Sequence, residues 1–241
     1  KSLGKDNFFI FGEAFDGRDF LLGDYTHGEG VDSVFYFSAK YQVFDDVFGR
    51  GEATRKVKEL YEGRRALTRF GNTPSDQPCT NEDAACRIRY SDRPKNDGPT
   101  DEEGNGLNSQ QLVVHFMDNH DVPRWLHSFP GETERYRSAL AFLLTTDGVP
   151  CIYYGSEQDM TGGPDPSNRE DMWSTGFETE GETFKHLQKL IQIRKRIAAL
   201  RRGDLTITQV SDEAGPLVFE RRYQANNGAQ QSVVVAFNTH Q

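Results

Sequence analysis

The 241 residues suffice for one large domain or two small ones, and 35% hydrophobic with 12% aromatic content supplies a core, so the chain is not disordered as a whole. With 37 acidic against 28 basic residues, a net charge of -9, it is poorly suited to nucleic acid or anionic membrane surfaces, which attract a basic face. No apolar run approaches the roughly 20 residues of a membrane span, nothing at the start reads as a signal peptide, and a start at Lys1 rather than Met predicts processing or truncation.

Residues 8–11 form a continuous apolar run (FFIF), which suits a strand buried on both faces of a parallel sheet. The run leads into Glu13, flanked by small residues. A carboxylate at the end of a buried strand is costly unless a cleft solvates it or a partner neutralises it. A catalytic role and a structural ion pair both fit at this point. A polar, Gly-rich loop leads to a second short run, DSVFYF, and residues 39–69 are helix-compatible with interruptions.

From Gly71 to Gln110 the composition turns to Asp, Glu, Asn, Pro and Gly, which predicts a solvated insertion. Its acidic groups lack the ligand spacing of a calcium loop, so no metal site is expected there. Cys79 and Cys86 bracket CTNEDAAC within it. Two exposed thiols so close would readily oxidise, and a disulfide between them would point to an oxidising compartment, secreted or periplasmic. Cys151 reads as a small buried hydrophobe.

A third run, QLVVHFMDNHD, resembles a strand ending in polar residues, and ETERYRSALAFLLTTDG reads as a helix with Gly148 just beyond its end. VPCIYYG is a fourth strand, followed by the polar loop SEQDMTGGPDPSNREDMWSTGFETEG. The stretch ETFKHLQKLIQIRKRIAALRRG carries the strongest helical pattern. Three β runs, DLTITQV, PLVFERRY and SVVVAFN, then suggest an antiparallel module. Strands alternating with helices imply a parallel α/β sheet, and the absence of G-x-G-x-x-G after any strand removes the usual dinucleotide reading. Glu13 and the Asn119-His120-Asp121 cluster sit at the C-terminal ends of different strands, where loops of a (β/α) barrel converge. Two carboxylates converging there suggest acid–base work on a neutral substrate.

Taken in order, GEAF after an apolar strand, MDNHD about a hundred residues later, GVPCIYYGSEQ, and GGPDPSNREDMW resemble the α-amylase family of retaining glycoside hydrolases. The resemblance implies a (β/α)8 TIM barrel of which the chain holds the second half, strands 5–8, across residues 1–202, with the polar insertion 71–110. Residues 203–241 would begin a C-terminal antiparallel β-sandwich domain. The resemblance makes Glu13 the general acid and base, its pKa raised by burial against Phe11 and Phe15. Asp121 would stabilise the oxocarbenium-like transition state, His120 would hydrogen-bond the sugar, and Asp165, Arg169 and Phe15 would bind neighbouring units. Trp125, Trp173 and Tyr25 are open to two roles, stacking on sugar or packing in the core.

The family's nucleophile, from the fourth strand, has no counterpart in these residues, so the resemblance implies a partner in the missing N-terminal half of the barrel. The 241 residues alone are expected to be inactive. The complete enzyme would act on starch-like glucans or maltodextrins with no cofactor in the chemistry, and with room for a structural calcium. Two alternatives stand beside hydrolysis: a transglycosylase or glucosidase of the same family, and a non-catalytic amylase-like binding or scaffold protein.

Overall fold

A computed structural model of the chain describes residues 7–70, 79–80 and 82–240. β1 (Phe11–Gly12) pairs in parallel with β2 (Ser33–Val34), the short helix α1 (Asp19–Asp24) lying between them in sequence. A helical turn, α2 (Phe37–Ala39), continues as a π-helix over Lys40–Gly49. The buried ion pair between Lys40 and Asp45, at 2.7 Å, has the i, i+5 spacing that this wider turn brings into register. α3 (Arg55–Gly63) follows, but the expected helix ends there. Residues Leu67–Arg69 instead form β3, antiparallel to β4 (Cys86–Ile88).

That hairpin corrects the reading of 71–110 as simply solvated. Tyr90 is fully buried and its hydroxyl donates to Asp19 at 2.9 Å, and Leu107 is buried too. A few apolar side chains anchor a segment whose composition is otherwise that of a loop. Cys79 and Cys86 are joined by a disulfide at the foot of β4. Because the closed loop is short, reducing the bridge, or Cys79→Ser, is expected to cost only about 2 kcal/mol. A denaturant titration with an unchanged midpoint would show that the bridge contributes nothing.

The third parallel strand is shorter than its apolar run suggests. Asn108 and Gln111 make a reciprocal capping box that starts α4 (Ser109–Leu112), leaving β5 as Val114–His115. Phe35, just beyond β2, bridges Val114 in parallel, and β5 pairs with β6 (Val149–Pro150). The parallel strands therefore lie in chain order, β1-β2-β5-β6, as half of a (β/α) barrel requires. Between β5 and β6 come α5 (Trp125–Ser128) and α6 (Thr133–Thr145). Gly148 adopts φ +71 where a Cβ would lie 2.4 Å from the Val113 carbonyl oxygen, so only glycine lets the chain turn into β6 so close to its neighbour.

The last helical stretch is split. α7 (Glu182–Arg196) stops at an extended Ile197, and α8 (Ala198–Arg202) resumes beyond it. The Arg201 guanidinium donates to the carbonyls of Arg194 and Lys195, satisfying the end of α7 in place of continued helix. β7 (Asp204–Gln209), β8 (Pro216–Gln224) and β9 (Gln230–Asn238) form one antiparallel sheet in that order. It docks on α6 through aromatic edges, Phe142 meeting Phe219 and Phe237 at 5.9 and 6.0 Å. Arg221 of β8 donates to Thr145 and Gly203 carbonyls, and Arg194 to those of Leu144, Thr146 and Gly148. Two buried arginines thus satisfy the C-terminal end of α6 and the turn after it. Burial weakens both cations, bringing Arg194 down to about 10. No helix among the described residues is long and apolar enough to cross a membrane.

Candidate active site

Glu13 follows β1 directly, and its carboxylate meets residues placed more than a hundred positions later. Glu13, His120 and Asp121 each offer an atom within 4.8 Å of the others. The His120 ring nitrogen Nε2 lies 3.3 Å from Asp121 Oδ2, and Arg169 reaches Asp121 Oδ1 at 3.5 Å. Arg169 in turn holds Asp165 through an ion pair of 2.7 Å. The sheet order and two loops therefore gather Glu13, His120, Asp121, Asp165 and Arg169 into one connected cluster at the C-terminal edge of the strands. Phe15 packs at 4.6 Å from Phe37 and leaves over half its surface to solvent beside Glu13.

The expectation that Glu13 is buried is overturned. Glu13 is exposed, as are Phe8, Ile10, Phe11 and Phe15. Among the described residues β1 pairs with β2 and with no other strand. Trp125 is the opposite case. It is fully buried, stacks on Tyr136 and donates from Nε1 to the Phe44 carbonyl, so it belongs to the core. Tyr25 and Trp173 remain exposed.

What fixes His120 and Asp121 is a set of buried polar groups, of which sequence reasoning singled out Asn119 but not Asn168, Arg124 or Asp118. Asn119 Oδ1 accepts the backbone N–H groups of Asp121 and Val122, which bends the chain immediately after the strand. Asn168, fully buried in the loop after β6, donates its amide to the carbonyls of Asn119 and Val122. Arg124 is fully buried as well. Its Nε lies 3.2 Å from Glu170, Nη1 donates to the Tyr154 carbonyl at 2.6 Å, and the guanidinium lies over the Tyr153 ring. The buried Asp118 carboxylate accepts the N–H of Trp125, and burial pushes its pKa up. An arginine inside the otherwise apolar VPRWL was the available signal for this clamp.

The cluster combines a carboxylic acid candidate, an imidazole donor and a second carboxylate on an open face. The same three side chains are the group among the described residues that could span a metal ion, though exposed acidic groups commonly lie this close without one.

Comparison with known proteins follows the same outline. Residues 80–180 match the family model of the alpha-amylase catalytic domain. A beta/alpha-amylase of Paenibacillus polymyxa is 30% identical over 215 residues, 86% of this chain and 14% of that protein. A cyclomaltodextrin glucanotransferase of Bacillus sp. (strain 38-2) is 41% identical over 138 residues, 56% of this chain and 18% of that protein. The crystal structure of alpha-amylase from Geobacillus thermoleovorans, complexed with acarbose, superposes with a TM-score of 0.68 at 25% identity. That superposition covers 96% of this chain and 42% of the other. The chain thus spans less than half the length of each relative.

Proposed function

The chain belongs to the α-amylase family, covering part of its catalytic domain, and from that premise we propose that the complete protein cleaves α-glucosidic bonds of starch-like glucans or maltodextrins with retention. The observation that carries the reading is the convergence of Glu13, His120 and Asp121 to within 4.8 Å from two separate strands. Glu13 protonates the glycosidic oxygen and then, as the base, activates water. Asp121 and His120 bind hydroxyls of the reacting sugar, where the carboxylate favours positive charge developing on the ring. Retention is carried over from the family resemblance, since the spacing that separates the two outcomes is that between the acid and the nucleophile. The nucleophile is a further carboxylate, placed by the family resemblance on the strand preceding β1. No cofactor enters this chemistry; a calcium ion in the complete enzyme would be structural. The Cys79–Cys86 bridge supports an oxidising, secreted or periplasmic setting.

The test is the anomer first released from maltoheptaose, followed by NMR before mutarotation. An α-product is expected; a β-product would overturn retention, and no product would overturn the hydrolase reading. A second reading, glucanosyl transfer, is favoured specifically by the 41% identity to a cyclomaltodextrin glucanotransferase. Cyclic or elongated products in the same incubation would identify it. In this reading Arg169, which joins Asp121 to Asp165, binds a neighbouring sugar unit. Arg169→Ala is therefore expected to raise KM for maltoheptaose about tenfold with a smaller change in kcat. A loss confined to kcat would place Arg169 in the chemistry instead.

A further inference from the structure

A cavity of about 320 Å³ opens where the parallel strands begin, on the face of the sheet opposite the catalytic cluster. Its walls come from the end of α3, the residues leading into α4, the Asp147–Gly148 turn before β6, and the junction of α8 with β7 and β8. The barrel half and the antiparallel sheet meet there. Five arginines line the space: Arg64, Arg65, Arg201, Arg202 and Arg221.

The buried charges around it do not balance. Arg64, Arg194 and Arg221 are all buried, and the carboxylate sunk among them is the partly buried Asp147, bound by Arg64 at 2.8 Å. Asp204, the next carboxylate, is exposed. Among the described residues the guanidiniums of Arg194 and Arg221 have only backbone carbonyls for partners. The carbonyls at the end of a helix supply roughly half a negative charge, so most of the excess is left uncompensated. A cation kept from water without a counter-charge is costly, and burial lowers the pKa of both arginines for that reason.

The mouth of the cavity is short of negative charge as well. Arg201 and Arg202 share one carboxylate, Glu102, at 3.2 and 2.7 Å. Arg65 is exposed and donates to the Gln110 side-chain oxygen at 3.3 Å, with no carboxylate partner among the described residues. Guanidinium forks bind oxyanions through paired N–H groups. A carboxylate ligand would bring one charge, whereas a phosphate group brings about two near neutral pH.

We propose that this cavity binds a phosphate group, as free phosphate or as the ester of a small sugar, and that the bound dianion ties α3 and α8 to the antiparallel sheet. The site is separate from the catalytic cluster, and the glucan-acting reading does not depend on it.

The experiment titrates the complete protein with inorganic phosphate and, separately, with glucose 6-phosphate, by calorimetry in about 0.15 M sodium chloride, where surface charges are largely screened. One saturable site is expected, and the ligand that binds tighter identifies the source. Arg65→Gln, on the exposed rim, should weaken the site about tenfold and leave the melting midpoint without phosphate unchanged. Glu102→Gln, which frees Arg201 and Arg202, should tighten it several-fold. Phosphate should raise the melting midpoint of the parent beyond the effect of sodium chloride at equal ionic strength. Turnover of maltoheptaose, read in parallel, should be the same in both variants. No saturable binding of either ligand, or a midpoint shift that sodium chloride reproduces, would overturn the site. Saturable binding with one Kd in the parent and both variants would place the anion elsewhere and overturn it too.

Discussion

Glu13→Gln in the complete protein is expected to lower kcat on maltoheptaose by at least about a thousandfold while changing its Kd little. The amide keeps the size of the side chain and its ability to hydrogen-bond, but has no proton to give a departing glycosidic oxygen. The deficit should depend on the leaving group. With α-glucosyl fluoride, whose fluoride departs without a proton, the first step should fall far less than with maltoheptaose. Added azide, which attacks without a general base, should then rescue breakdown of the intermediate. Near-normal turnover of maltoheptaose would remove Glu13 from the acid–base role. A collapse of equal size on both substrates would point to a structural fault, since only proton donation separates them.

Arg64→Met is expected to cost about 3–5 kcal/mol of stability, because it strands a partly buried carboxylate rather than removing a pair. Arg64 is itself buried, binds Asp147 at 2.8 Å and lies over the Tyr61 ring at 4.2 Å. The remaining partner of Asp147, His115, is 3.5 Å away and fully buried. Burial raises the Asp147 carboxyl, but the Arg64 charge and His115 outweigh it and hold the group below the usual carboxylate range. The pH dependence follows from that direction. A depressed carboxyl contributes stability above its unfolded pKa of about 3.9, and loses it as pH falls through the lower native value. In the variant burial acts without Arg64, so protonation relieves the penalty and the gap from the parent should narrow as pH falls from 7 to 4. His115 adds a slope to both proteins. Burial lowers its pKa, so the unfolded state takes up a proton first and stability declines below about pH 6.5. Urea midpoints at pH 7 and pH 4 measure this; a gap that does not change with pH would mean Asp147 is not the stranded charge.

Much of the architecture was legible because it is written locally. Apolar runs separated by helical periods specify parallel strands in chain order, and β1, β2, β5 and β6 pair in that order. Glu13, His120 and Asp121 stood out because charged residues directly after apolar runs demand a reason. Elements failed where a local pattern met a distant partner. Residues 67–69 looked helical, but β4 supplied a strand to pair with them. Ile197 looked helical, but Arg201 closed the helix before it.

By itself the sequence determined the (β/α) order, the antiparallel end and the residue types at the strand ends, since periodicity and composition act over a few residues. The tertiary structure alone decided that Asn119, Asn168 and Arg124 hold the site together, that Trp125 is core, and that Glu13 meets His120 and Asp121. Those outcomes depend on which loops meet across the sheet and which strand has a neighbour, and contacts between residues tens to a hundred positions apart leave no periodic trace in the chain.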